Sequence, residues 1–137
     1  MVNTRLAIGI HILSVVALSN DAEKLNSEWI ASSIQTNPVV VRRMISALKK
    51  AGLLRAVHGN RGLALNKSPE DISFLDILRA VDPKNTLFSV HQNTNMNCIV
   101  GRQIESTLGT MFQHIQQNTE NDLAKQSLKQ VLNQFKS

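Results

Sequence analysis

Val41, Met44, Ile45 and Leu48 recur at i, i+3, i+4 and i+7, which predicts an amphipathic helix with one apolar stripe. Its start is marked by Asn37, a good N-cap, and by Pro38, whose missing N–H costs nothing at the first helical position. Gly52 stands where the helix should stop. At 100° per residue, Val39, Arg43, Ser46 and Lys50 fall opposite the stripe, with Arg42 and Lys49 on its shoulder. Leu53 to Val57 and Leu63 to Leu65 then flank a His-Gly-Asn-Arg-Gly tip and predict a short hairpin.

The same reading extends to both sides. Thr4 to Leu18 is apolar nearly all round and predicts a first helix held between other elements, with His11 a core histidine. Ser27 caps a short helix from Glu28 to Ile34, and Trp29, Ile30 and Ile34 are expected to face the core. Two short helices so closely joined form a helix-turn-helix, and the hairpin after them makes the module winged. Ile72 to Val81 is a further amphipathic helix, ended by Asp82 and Pro83. A polar loop follows, then a long helix from about Cys98 to Asn118 and a shorter one from about Asn121 to Phe135.

In the long helix Ile104, Leu108, Met111 and Ile115 are spaced 4, 3 and 4, a heptad seam too narrow to satisfy itself. Either it folds back on its own chain through Phe112 and the final helix, or it pairs with a second copy. Symmetric dimerisation suits a paired reading head better. The expected layout is mainly α: a winged helix-turn-helix domain at 1–82, a connecting loop at 83–97 and a helical dimerisation region at 98–137.

Charge sharpens the picture. The formal net charge is +5, and up to Gly62 eight basic residues stand against three acidic ones. From Leu63 onward seven meet seven, so the whole excess lies in the first part, and residues 35–62 contain no acid. A cationic face without acidic partners points to a polyanion, double-stranded DNA. With aromatics at 4% and no Tyr, a stacking platform for single strands is disfavoured. The apolar run Leu6 to Leu18 imitates a signal-peptide core but falls short of the ~20 residues needed to span a bilayer. No membrane association and a cytoplasmic location are expected, and the single Cys98 fits a reducing compartment.

The residues expected to meet DNA follow from these faces. Arg42 and Arg43 can each pair with guanine or bind phosphate. Val39 and Val40 suit a thymine methyl, and Val40 can instead complete the core. Asn37 and Pro38 open the helix, where Asn37 caps and can also touch phosphate. Ser46, Lys49 and Lys50 follow along the helix, and His58, Asn60 and Arg61 form the wing tip, where arginine favours a narrow minor groove. Catalysis has no support: there is no Gly-rich phosphate loop, nucleophile elbow or HExxH.

The chain is identified by these residues as a member of the Rrf2 family of bacterial winged-helix transcriptional regulators. The resemblance rests on TNPVVVRRMISALKKAGLL, on the wing HGNRGLAL, and on KSPEDISFLDILRAVD directly after it. NTRLAIGIHIL, LFSVH and NCIVG make it most similar to the YwnA-like branch. It implies a homodimer held by the long helix, a roughly palindromic promoter site and a regulator, expected to be a repressor. It also implies a phosphate contact from Arg5. Two departures stand out. The wing has Arg61-Gly62-Leu63 where the family has Gly-Gly-aromatic, and His91 to Gly101 offers only Cys98 where well-known members carry three cysteines for an iron–sulfur cluster. One thiolate per subunit is too few, so neither a cluster nor another cofactor or metal is expected.

Cys98 at a helix start could instead be a redox sensor, or a purely structural thiol; His91 with Cys98 as metal ligands is the weaker alternative. Two further readings remain open: a dimeric interaction module that docks an enzyme partner without binding DNA, and a regulator responding to a small-molecule effector between head and dimer helix.

Overall fold

A computed structural model describes residues 4–135. Met1–Asn3 and Lys136–Ser137, the outer ends of the expected head and dimerisation regions, lie outside the described residues. Six helices and two short strands follow in order: α1 Arg5–Leu18, α2 Ser27–Ile34, α3 Pro38–Lys50, β1 Leu54–Arg55, β2 Ala64–Leu65, α4 Phe74–Val81, α5 Ile99–Ala124 and α6 Leu128–Gln134. Single 3₁₀ turns stand at Ala22–Lys24 and Pro69–Asp71.

The head core joins α1, α2, α3, α4 and the wing base through Ile12, Leu13, Leu25, Ile30, Leu48, Leu53, Ile72 and Ile77. Gly9 lets α1 approach α4: a Cβ there would stand 3.0 Å from Ile77 and 3.2 Å from Val81. Ser14 is the buried polar side chain of the core, satisfied by donating to the Ile10 carbonyl at 2.8 Å. α1 is nevertheless not covered all round. Ala7, His11 and Leu18 are exposed, so His11 is not a core histidine. The partners of α1 cover one side only, and the other borders a hollow of about 600 Å³ shared with Trp29, Val131 and Phe135.

Trp29 also departs from expectation, with 46% of its surface exposed. Ile30 and Ala31 occupy the narrow inward face of this eight-residue helix, and Trp29 lies a 100° step to one side. The cap is Asn26 rather than Ser27: its side chain accepts from the Trp29 N–H at 2.8 Å.

α3 follows the sequence closely. Asn37 accepts the Val39 N–H at 2.7 Å, Pro38 is the first helical residue, and Val41, Met44, Ile45 and Leu48 are buried. Burying side chains of this size contributes about 1.5–3 kcal/mol each, which holds the opposite, basic face outward. The helix closes with Leu53 donating to the Leu48 carbonyl at 2.9 Å and Gly52 at φ +81°.

The hairpin ladder is shorter than expected. Only Leu54 pairs with Leu65 and Arg55 with Ala64, antiparallel. Leu63 turns its N–H to the Ala22 carbonyl instead, at 3.1 Å, so the strand leaves the ladder at Gly62. The tip closes separately between His58 and Arg61, with Gly59 at the positive φ that the first central residue of a type II′ turn requires.

α4 begins at a reciprocal Ser73–Asp76 capping box and buries Ile77, Leu78 and Val81. α5 runs unbroken to Ala124, past the break expected near Asn118. That stretch holds no Gly or Pro, and Gln117 bonds Asn121 one turn on at 3.0 Å. α6 then returns to the head: Leu128 is fully buried in its core, and its N–H donates to the Ile72 carbonyl at 2.9 Å. Of the expected dimerisation region 98–137, α6 thus packs into the head core, and α5 docks along one side through Arg79–Glu120 and the Leu87 N–H to Gln116. None of the residues of α5 is buried. No helix among the described residues is long and apolar enough to cross a membrane.

Candidate nucleic-acid interface

Burial of the α3 stripe leaves Val39, Val40, Arg42, Arg43, Ser46, Lys49 and Lys50 exposed. Val40, 39% exposed, belongs to this outer face rather than to the core. The wing stands beside one flank of the helix and encloses a cleft of about 460 Å³. Arg42, Ser46 and Lys49 line it from α3, Asn60, Arg61 and Gly62 from the wing, and Asn26 and Ser27 from the start of α2. Arg43 and Lys50 lie on the helix outside it. So the two adjacent arginines are not equivalent: Arg42 faces the wing and Arg43 does not.

The electrostatics of this surface are unbalanced. Among the described residues, Arg42, Arg43, Lys49, Lys50, Arg55 and Arg61 have no acidic partner within salt-bridge distance, while Arg5, Lys24, Arg79 and Lys129 each have one. Arg5 pairs with Asp82 at 3.3 Å and does not line the cleft. Six uncompensated cations on one helix and its hairpin produce a field that favours a polyanion.

One carboxylate enters the cleft that the sequence did not point to. Glu23, on the 3₁₀ turn before α2, lines it, and its Oε1 lies 2.8 Å from Nε2 of His58 at the wing tip. The absence of acid from residues 35–62 says nothing of residues that the fold brings in from upstream. Asn26 and Ser27 were missed for the same reason, as no periodicity marks them.

Beyond the head, Ile104 and Leu108 are half-buried on α5, while Met111 and Ile115 are 57% and 42% exposed. Phe88 of the connecting loop packs against Phe112 in a tilted pair, centroids 5.6 Å apart and planes at 42°, and Arg79 pairs with Glu120 at 3.3 Å. These contacts dock α5 on one side and leave Met111 and Ile115 of the seam exposed. Cys98 is the N-cap residue of α5 and exposed. Hydrogen bonds from the Gly101 and then the Val100 backbone N–H hold its thiol below the ordinary range, against a smaller opposing effect of desolvation.

Comparison with known proteins assigns this architecture. Residues 2–134 match the family described as "Rrf2: Iron-dependent Transcriptional regulator". The chain belongs to the Rrf2 family. It is 50% identical over 133 residues to YwnA of Bacillus subtilis (strain 168), named as an HTH-type transcriptional regulator, covering 97% of this chain and 98% of that one. A solved chain described as a DNA binding protein is 45% identical, with a TM-score of 0.75 over 93% of this chain and 98% of the other. CymR, the global cysteine regulator of B. subtilis, shares the fold at 17% identity and a TM-score of 0.69, over 99% of this chain and 98% of its own. The Rrf2 relatives are DNA-binding winged-helix transcription regulators, not enzymes, in agreement with the sequence.

The family's iron is a separate question, and this chain's residues do not fit a cluster. Its one cysteine is Cys98, and among the described residues no three His, Cys, Asp or Glu side chains are grouped to hold a metal ion.

Proposed function

We propose that this Rrf2-family chain is a homodimeric, sequence-specific repressor that reads a near-palindromic promoter site without an iron–sulfur cluster. α3 enters the major groove, and the wing at residues 53–65 reaches the adjacent minor groove. The observation that carries this reading is the unpaired cation set of α3 and the wing, of which Arg42, Lys49 and Arg61 line one cleft of about 460 Å³. In that arrangement Arg42, Lys49 and Arg61 hold the backbone strand between the two grooves, and Arg43 and Val39 face base edges.

Dimerisation is supported by the apolar ridge of α5, where Met111 and Ile115 stay exposed in a single chain. A second copy covering that ridge sets two reading heads on one duplex, and repression follows from occupying a promoter. The site of action is the cytoplasm. The alternative of an interaction module docked to an enzyme finds no support in a cation set without acidic partners. A thiol-sensing regulator has one observation in its favour, the exposed and acidified Cys98. Gel shift on a duplex from the chain's own promoter tests the reading: retarded complexes are expected, and their absence at low salt contradicts it.

A further inference from the structure

Glu23 is misplaced for a surface that binds a polyanion. A phosphate entering the cleft meets this carboxylate together with Arg42, Lys49 and Arg61, and a bare carboxylate there weakens binding. It is not bare, because Oε1 lies 2.8 Å from Nε2 of His58. Both residues are placed by backbone structure. The turn that carries Glu23 is tied to the wing by the bond from Leu63 to the Ala22 carbonyl, and the tip that carries His58 is closed by its bonds to Arg61. Nδ1, on the other edge of the imidazole, has no hydrogen-bond partner among the described residues. Both side chains are about two-thirds exposed, at 67% and 66%, so the pair does little for stability in the free protein.

We propose that Glu23 and His58 form a proton-linked phosphate contact, with the carboxylate on Nε2 and a DNA phosphate oxygen on Nδ1. His58 is the contact and Glu23 its positioning residue. The inference rests on the reading that the wing receives DNA. An anion on each edge requires both ring nitrogens to donate, which only the imidazolium can do. Charged groups of both signs surround the ring. Glu23 and Arg61 line a hollow with the ring, Arg42 and Lys49 lie further off along the cleft that Glu23 and Arg61 also line, and the Asp21–Lys24 pair on the turn is self-compensating. Histidine changes charge between about pH 5 and 8, so DNA arriving in that window brings proton uptake. The complex then binds more protons than its separated parts, so affinity falls as pH rises, by at most ~10-fold per pH unit for one proton.

The test is fluorescence anisotropy of the full chain with two labelled duplexes, its own promoter region and a random sequence, at fixed ionic strength. Wild type, His58→Gln and Glu23→Gln are compared from about pH 6 to about pH 8.5. Wild-type affinity is expected to fall by roughly three- to tenfold between about pH 6.5 and 8, and His58→Gln to be flat. Glu23→Gln is expected to show a shallower slope and, at the alkaline end, to bind at least as tightly as wild type, because an anion has left the cleft. A latch that only holds the wing in shape predicts that Glu23→Gln is weaker by one factor at every pH, and that result overturns the proposal. A wild-type slope that survives in His58→Gln, or a flat wild type, overturns it and leaves DNA binding intact. Failure to bind either duplex at any pH overturns both.

Discussion

The backbone nitrogen of Leu63 lies 3.1 Å from the carbonyl oxygen of Ala22, and this bond sets the wing against the turn that precedes α2. Gly62, the residue before it, has φ +67°, and a Cβ there would fall 2.6 Å from the same oxygen. Gly62→Ala is therefore expected to break the bond and lift the wing from Glu23 and the α3 flank. The strain costs about 1–3 kcal/mol, read as a lower urea midpoint together with weaker DNA binding. A variant with unchanged midpoint and affinity would show that the wing is not held this way.

Gln35 joins α2 to α3 at φ +63°, a left-handed conformation in a residue with a Cβ. Its N–H and that of Thr36 both reach the Ala31 carbonyl, so the turn is bonded and the strain is local. Gln35→Gly is expected to stabilise the head by about 0.5–1 kcal/mol. Equilibrium urea unfolding measures this directly, and a destabilised variant would place the strain elsewhere.

Met111 is 57% exposed in the single chain and contributes nothing to the head core. Met111→Lys is expected to leave the fold of the head intact while dissociating the proposed dimer. Loss of two symmetry-related side chains, at ~1.5 kcal/mol or more each, weakens association on the order of a hundredfold. Sedimentation equilibrium distinguishes the cases. A variant that remains dimeric would remove α5 as the interface.

Cys98 accepts backbone hydrogen bonds that favour its thiolate. Its alkylation by iodoacetamide is expected to reach full rate at a lower pH than that of a free cysteine. The sign follows from the nucleophile being the thiolate, whose fraction at a given pH rises when the thiol is more acidic. A profile centred on the free-cysteine value would contradict the geometry at the start of α5.

These outcomes depend on features of unequal visibility in the sequence. The α3 stripe and its cap were legible because periodicity and the Asn37–Pro38 pair act locally, and the helix obeys them. The outward residues of α3 followed from the same spacing. Trp29 was misread because hydrophobicity alone does not say which of two adjacent residues, Trp29 or Ile30, wins a narrow buried face. The end of α5 and the return of α6 were misread because the Ser127 capping box starts a new helix only after α5 has run on to Ala124. Glu23 was invisible for a tertiary reason: its role depends on a hairpin that begins some thirty residues downstream and folds back onto its turn.

The central claim is that α3 and the wing together grip the DNA backbone. The most direct measurement is the salt dependence of promoter-duplex affinity for wild type, Arg43→Ala and Arg61→Ala, with circular dichroism to confirm that each variant is folded. Each variant is predicted to bind more weakly, and each lost phosphate contact to reduce the slope of log affinity against log salt by about 0.9. An arginine that meets a base edge instead lowers affinity with little change in slope. Wild-type affinity and slope in both folded variants would contradict the account.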